Sequence, residues 1–283
     1  MNGTLYISDL DGTLLNQSAG LSAYTARSLN TMIADGLHFS IATARTLAST
    51  RKIISGLTLR IPIALMNGAL IYDTERQCYP RIHTILPDTV SAVIHTLRTF
   101  ETTGFMYELS NGELRTYHES LKQKPLRDFV EERITRYYKS FRLTDRFDSV
   151  SPEHIIYFTL LDVYERLQPV HDALVAQPGL NLTLYKDTYS PDLWYLEIFS
   201  AEASKEHAVA YLRETYGFGR IIGFGDNLND LPMFTACDIR VAVENAKPEV
   251  KAAADMICGS NDNDGVAKWL EGYHHTGAAR PYK

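Results

Sequence analysis

Leu5-Tyr6-Ile7-Ser8-Asp9-Leu10-Asp11-Gly12-Thr13 reads as a short apolar strand running straight into two carboxylates one residue apart. Open α/β sheets bind ligands outside the carboxyl ends of their strands, so a paired acid at such an end is a candidate site. Asp and Gly also end strands as ordinary turn residues. A calcium loop fits less well, because its glycine belongs at the sixth position and a helix should precede it.

Outward from this stretch, strands and helices alternate. A helix over Ser22 to Asp35 is stopped by Gly36, then come a strand from His38 to Ala42, a helix over Leu47 to Ser55 and a strand from Ile61 to Met66. Asn67-Gly68 is a turn before a strand from Ala69 to Tyr72. The alternation resumes with a helix from Lys205 to Tyr216, a strand from Arg220 to Phe224, a short helix near Leu231, a strand from Ile239 to Val243 and a helix from Pro248 to Ala254. Strands separated by helices of this length imply a parallel sheet with right-handed crossovers.

The middle has another texture. Helical patterns over Pro87–Thr99 and Leu121–Tyr138 mix with alternating runs at Phe105–Leu109, Leu114–His118, Ile155–Leu161 and Leu182–Lys186, the signature of antiparallel strands. The fold class is therefore α/β, a Rossmann-like parallel-sheet core with an inserted α+β domain. The expected boundaries are 1–82 and 191–283 for the core and 83–190 for the insert.

Composition sets limits. Of 283 residues, 45% are hydrophobic and 22% charged, enough for a packed core and unlike a disordered chain. The charge of −6 builds in no attraction to nucleic acid. Cys78, Cys237 and Cys258 are odd in number with no C-x-x-C spacing, as in a reducing compartment. The start lacks a basic and then apolar leader, and no apolar run approaches the ~20 residues that span a bilayer. A cytoplasmic chain without membrane or nucleic-acid partners is expected, while its oligomeric state is not legible.

Three further clusters carry chemistry. Asp226-Asn227-Leu228-Asn229-Asp230 follows another strand, and although Asp230 suits a helix cap, capping leaves Asp226 uncommitted. Acids at two strand ends suit Mg²⁺, which takes one or two carboxylates, waters and a substrate phosphate oxygen. Thr43-Ala44-Arg45 closes the second strand just before a helix, and a hydroxyl with nearby backbone N–H groups there seats an anion. Ser204-Lys205 puts a cation at a helix start, against the dipole.

Together, in this order, these pieces resemble the haloacid dehalogenase superfamily, and the match covers the chain. Asp9 to Thr13 looks like its first motif, Thr43 its second, Lys205 its third and Gly225 to Asp230 its fourth. Met66-Asn67-Gly68-Ala69 and Asp264-Gly265-Val266 resemble the Cof-type subfamily. The insert lies between the second and third motifs, as in members with a type IIB cap. Ala44 and Glu206 depart from the family pattern, where glycine is usual at both places. The resemblance implies a Mg²⁺-dependent phosphatase for small phosphorylated metabolites such as sugar phosphates. Asp9 is then the nucleophile and Asp11 the general acid and base. Mg²⁺ is held by Asp9, the Asp11 main-chain carbonyl and Asp226. Phosphate contacts come from the Leu10 backbone, Thr43, Ala44, Lys205 and Asn229, with Asp230 orienting Lys205 or the metal's waters. A hexose-phosphate phosphomutase or a non-catalytic regulatory protein on the same fold are the alternatives. The insert is expected to choose the leaving group, with Tyr107, Glu108, Tyr157, Tyr185, Asp187 and Tyr189 as candidates. The stretch from Ser260 to Glu271 imitates a calcium loop, but Ser260 and Lys268 occupy ligand positions, so no metal is expected there.

Overall fold

The computed structural model describes residues 3–187, 190 and 192–276, the side chains of residues 274–276 excepted. It divides into two compact units, Met1–Pro80 with Ser204–Lys283, and Arg81–Ala203. In chain order the elements are β1 (Thr4–Ser8), α1 (Ala23–Ala34), β2 (His38–Ile41), α2 (Leu47–Ile53), β3 (Ile63–Leu65), β4 (Leu70–Asp73) and β5 (Cys78–Ile82). There follow α3 (Pro87–Thr99), β6 (Phe105–Ser110), β7 (Glu113–His118), α4 (Lys124–Tyr137), β8 (Arg142–Leu143), β9 (Ile155–Asp162), α5 (Tyr164–Leu174), β10 (Leu180–Lys186) and β11 (Trp194–Ser200). The last are α6 (Lys205–Tyr216), β12 (Arg220–Gly225), α7 (Leu231–Thr235), β13 (Ile239–Val243), α8 (Pro248–Ala253), β14 (Met256–Cys258) and α9 (Gly265–Thr276).

Five strands form a parallel sheet in the order β14-β13-β12-β1-β2. Parallel strands covered on both faces need apolar residues almost throughout. Leu5, Ile7, Ile221, Ile222, Phe224, Val241 and Ala242 are accordingly fully buried. From β1 the sheet grows to β2 on one side and to β12 and beyond on the other. The carboxyl ends of β1 and β12 flank this switch point, where such sheets leave a ligand crevice. Asp9 and Asp226 follow those two strands directly.

The other unit carries a six-stranded sheet, β10-β11-β9-β6-β7-β8, antiparallel except for β7 beside β8. Val90, Val93, Ile94 and Leu97 of α3, at helical spacing, join Leu167, Val170 and Leu174 of α5 on one sheet face. There they bury Met106, Phe158, Leu160, Leu196 and Ile198.

Strands β5, β8 and β14 and helix α9 were not expected, and two further features differ. The unit runs to Ala203 rather than residue 190, because β11 pairs with both β9 and β10 and belongs to their sheet. Helix α5 was not legible because Pro169 lies inside it and removes a backbone donor that helix reading counts on.

Candidate active site

Asp9 extends the ladder past β1, its N–H donating to the Phe224 carbonyl at 3.0 Å. Its side chain is buried and meets Lys205, the first residue of α6. Ser204 caps that helix by accepting the His207 N–H at 2.9 Å. Lys205 Nζ donates to Asp9 Oδ1 and to Asp230 Oδ1, each at 2.6 Å, from a fully buried position. These two carboxylates explain a cation placed against the helix dipole. Asp230 Oδ2 accepts the N–H groups of Asp226 at 2.9 Å and Asn227 at 3.0 Å, so both of its oxygens are engaged. It holds Lys205 on one side and the loop after β12 on the other.

Ligand atoms of Asp9, Asp226 and Asp230 lie within 4.8 Å of one another, all in buried residues. Three carboxylates face one ammonium there. Burial pushes the Asp9 carboxyl up to about 7, with Lys205 pulling down and Asp230 and Asp11 adding to the rise. Burial, then Asp230 and Asp9, push Asp226 well above the usual carboxylate range. Burial disfavours the Lys205 ammonium, yet Asp230 and Asp9 hold it charged and raise it above its ordinary value. Oxygen donors only, short of positive charge, fit a hard divalent cation such as Mg²⁺.

The loop that carries the first motif is held from several directions. The Leu10 carbonyl accepts N–H groups from Thr13, Leu14 and Leu15, and Thr13 Oγ1 donates to Asp226 Oδ1 at 2.9 Å. Asn245 Nδ2 donates to the Gly12 carbonyl at 2.7 Å. Gly12 has φ +80°, and a Cβ there would lie 2.4 Å from Asp226 Oδ2, so only glycine fits. Gly68, φ +89°, is likewise required, since a Cβ would sit 2.2 Å from the Ser204 carbonyl.

The Asp11 carboxylate is clamped by Arg45, whose Nε donates to Oδ2 at 2.6 Å and Nη2 to Oδ1 at 2.5 Å. Such bidentate pairing fixes orientation as well as charge. Arg45 and Thr13 fall within the stretches quoted from the sequence but were given no role there, although Arg45 stands two residues after Thr43 at a strand end. Thr43 Oγ1 accepts the Arg45 N–H at 3.2 Å, and the Thr43 carbonyl accepts the Asn67 N–H at 3.0 Å. Ala44 is not among the residues with positive φ, so alanine is unstrained where relatives carry glycine. Glu206 is exposed, whereas the Lys205 ammonium is taken up by Asp9 and Asp230. Asn229 lies half-buried in the short turn Leu228–Asp230.

Of the candidates on the insert, Tyr107, Tyr157 and Tyr185 share the sheet face opposite the α3 and α5 core. Tyr107 meets Tyr157 edge-on at 6.0 Å, Tyr157 stacks on Phe199 at 5.2 Å and Tyr185 stacks on Tyr195 at 5.5 Å. Glu108 is tied down elsewhere, accepting from the Tyr117 hydroxyl at 2.8 Å and Arg115 Nη1 at 3.4 Å. The Asp187 N–H donates to the Leu193 carbonyl at 2.9 Å. Tyr189 lies outside the described residues. The calcium-like stretch fastens α1 instead. Asp264 Oδ1 accepts from Ser22 and Thr25, and Glu271 accepts from Tyr24 and Ser28.

Comparison with known proteins agrees with this geometry. The 5-amino-6-(5-phospho-D-ribitylamino)uracil phosphatase YitU of Bacillus subtilis is 25% identical over 269 residues, covering 94% of this chain and 95% of its own. A haloacid dehalogenase-like hydrolase from Bacteroides thetaiotaomicron superposes with a TM-score of 0.79 at 24% identity, covering 95% and 99% of the two chains. A sugar phosphatase of haloacid dehalogenase subclass IIB gives 0.75 at 20% identity over 96% and 99%, a likeness of fold. The sequence matches the haloacid dehalogenase-like hydrolase family over residues 6–270, and with the acidic cluster at its sheet switch point the chain belongs to that family.

Proposed function

We propose that this protein is a Mg²⁺-dependent phosphatase of small phosphorylated metabolites, sugar phosphates among them, acting through a phosphoaspartate on Asp9. The observation that carries the reading is the buried Lys205 bridging Asp9 and Asp230 beside Asp226. It pins Asp9 by Oδ1, while Oδ2 accepts no hydrogen bond from any described residue. The resemblance to YitU, named for a phosphorylated uracil derivative, supports a small phosphorylated substrate. Three free cysteines among the described residues support a cytoplasmic location. Among those residues no helix is long and apolar enough to cross a membrane.

In the first step an Asp9 carboxylate oxygen bonds to phosphorus as the bond to the leaving oxygen breaks, and Asp11 gives that oxygen a proton. In the second, Asp11 takes a proton from water, the water oxygen bonds to phosphorus, and the bond to Asp9 breaks. Phosphate leaves and both acids return to their starting state. Lys205, Thr43, Asn229 and the N–H groups of Leu10 and Ala44 hold the phosphoryl oxygens. Asp9, Asp226 and the Asp11 carbonyl would hold Mg²⁺, which when bound would offset the repulsion between anionic nucleophile and anionic ester. Phosphate release from a broad metabolite panel tests the reading, with the wild type beside Asp9→Asn. Release without any bisphosphate activator, lost in the variant, is expected. Release persisting within tenfold in Asp9→Asn would refute the covalent route, and release only with a bisphosphate would favour a mutase.

A further inference from the structure

The unit that holds the acidic cluster also carries a pocket of about 220 Å³, and none of its lining residues has a place in that cluster. Helical periodicity builds one wall. Leu47, Arg51 and Ile54 stand at i, i+4 and i+7, so α2 and its last turn present them on one side. Leu57 and Leu59, in the chain that leaves α2, and Tyr72 of β4 supply the rest. The wall is thus mainly apolar with few polar groups, the usual make-up of a small-molecule site.

Those polar groups divide into engaged and available ones. Thr74 Oγ1 donates to the Leu59 carbonyl at 3.0 Å and Ser55 Oγ to the Lys52 carbonyl at 2.9 Å, so both hydroxyl protons are used within the protein. Arg51 differs. Its Nη2 donates to the Tyr72 hydroxyl at 2.7 Å, and it forms no ion pair among the described residues. A guanidinium has five N–H donors in a fork that matches a carboxylate, so most of its capacity is open. Asp73, the acid next along β4, accepts instead the N–H groups of Glu75 and Arg76, at 3.0 and 2.9 Å. Tyr72 is only 4% exposed, its ring tilted against Tyr79 at 5.1 Å. Its oxygen accepts from Arg51, while its own proton finds no acceptor among the described residues. A buried donor left unmet is costly, and one anion would satisfy it together with the guanidinium.

We propose that this pocket binds a small aromatic monocarboxylate, with the ring among Leu47, Ile54, Leu57 and Leu59 and the carboxylate on Arg51 and the Tyr72 hydroxyl. An apolar cavity of about 150 Å³ holds benzene, so the volume here suits one ring with a carboxylate. The apolar wall favours an organic anion over inorganic phosphate, and the single cation favours one negative charge over two. Exposed Ser55 and Gln77 mark the way in. Occupancy does not depend on the phosphatase reading, since no residue of that chemistry takes part.

Benzoate, 4-hydroxybenzoate and phenylacetate, with benzamide as the neutral control, are titrated by calorimetry into the wild type and into Arg51→Met, Tyr72→Phe and Leu57→Trp. At least one acid is expected to bind with a Kd on the order of 0.1–1 mM, usual for a ligand of about ten heavy atoms. Benzamide should bind about tenfold or more weakly, because it lacks the charge-assisted hydrogen bonds. Arg51→Met should weaken the acid about tenfold and leave benzamide unchanged. Tyr72→Phe should weaken the acid severalfold, and Leu57→Trp, which fills the place of the ring, should abolish binding. Arg51 is exposed, so its variant should keep the wild-type Tm and circular dichroism. No saturable binding of any of the three acids, equal affinity for benzamide, or an affinity unchanged in Arg51→Met would overturn the proposal.

Discussion

In the presence of a chelator, Asp9→Asn is expected to unfold at a higher temperature than the wild type while losing its turnover. Burial pushes the Asp9 carboxyl up to about 7, from an ordinary 3.8. Between those values the folded protein binds a proton that the unfolded chain has released. Stability therefore falls as pH rises from about 4 to 7 and stays lower above that. At 1.36 kcal/mol per pH unit the full effect is on the order of 4 kcal/mol. A chain of 283 residues has an unfolding entropy of roughly 0.6 kcal/mol/K, which makes the difference about 7 °C. Asparagine has no such proton to lose and still offers an oxygen to Lys205 Nζ. Thermal melts of both proteins in EDTA, across about pH 4 to 8, provide the assay. The gap should open through that window and be largest near pH 8. Mg²⁺ should narrow it, because binding to the folded wild type adds stability. A variant less stable than the wild type at pH 8 in EDTA would refute the reasoning, since pairing with Lys205 would then outweigh burial. So would a gap that does not vary with pH.

Phosphate release should cease on exhaustive chelation and return with Mg²⁺, and with Mn²⁺ or Co²⁺ in part, since all three accept oxygen octahedra; rate against added metal measures this. Gly12→Ala should lower kcat by roughly 100-fold or more with unchanged circular dichroism, because φ is +80° and the new Cβ would lie 2.4 Å from Asp226 Oδ2. Arg45→Met, which frees the Asp11 carboxylate from its two hydrogen bonds, should lower kcat about tenfold or more and change the shape of the pH–rate profile. An unaltered profile would mean that the clamp does not orient the acid.

Much of this site was legible before any coordinates. Asp9, Asp226 and Lys205 each stand at the end or start of a regular element, and local sequence fixes such positions because apolar periodicity and capping residues are local signals. The parallel sheet was legible for the same reason. Strand β11 was not, because Trp194-Tyr195-Leu196-Glu197-Ile198-Phe199-Ser200 sets a single charge among apolar residues, with no regular alternation to assign it to the neighbouring antiparallel strands. Nor could sequence pair side chains across long separations. Arg45 on Asp11, Thr13 on Asp226 and Arg51 on Tyr72 are contacts between different elements. Sequence alone determined which residue types stand at the strand ends, and so the class of chemistry. Tertiary structure decided which charges are compensated and which are not, because compensation depends on burial and on distances of a few ångströms that only the packed chain sets.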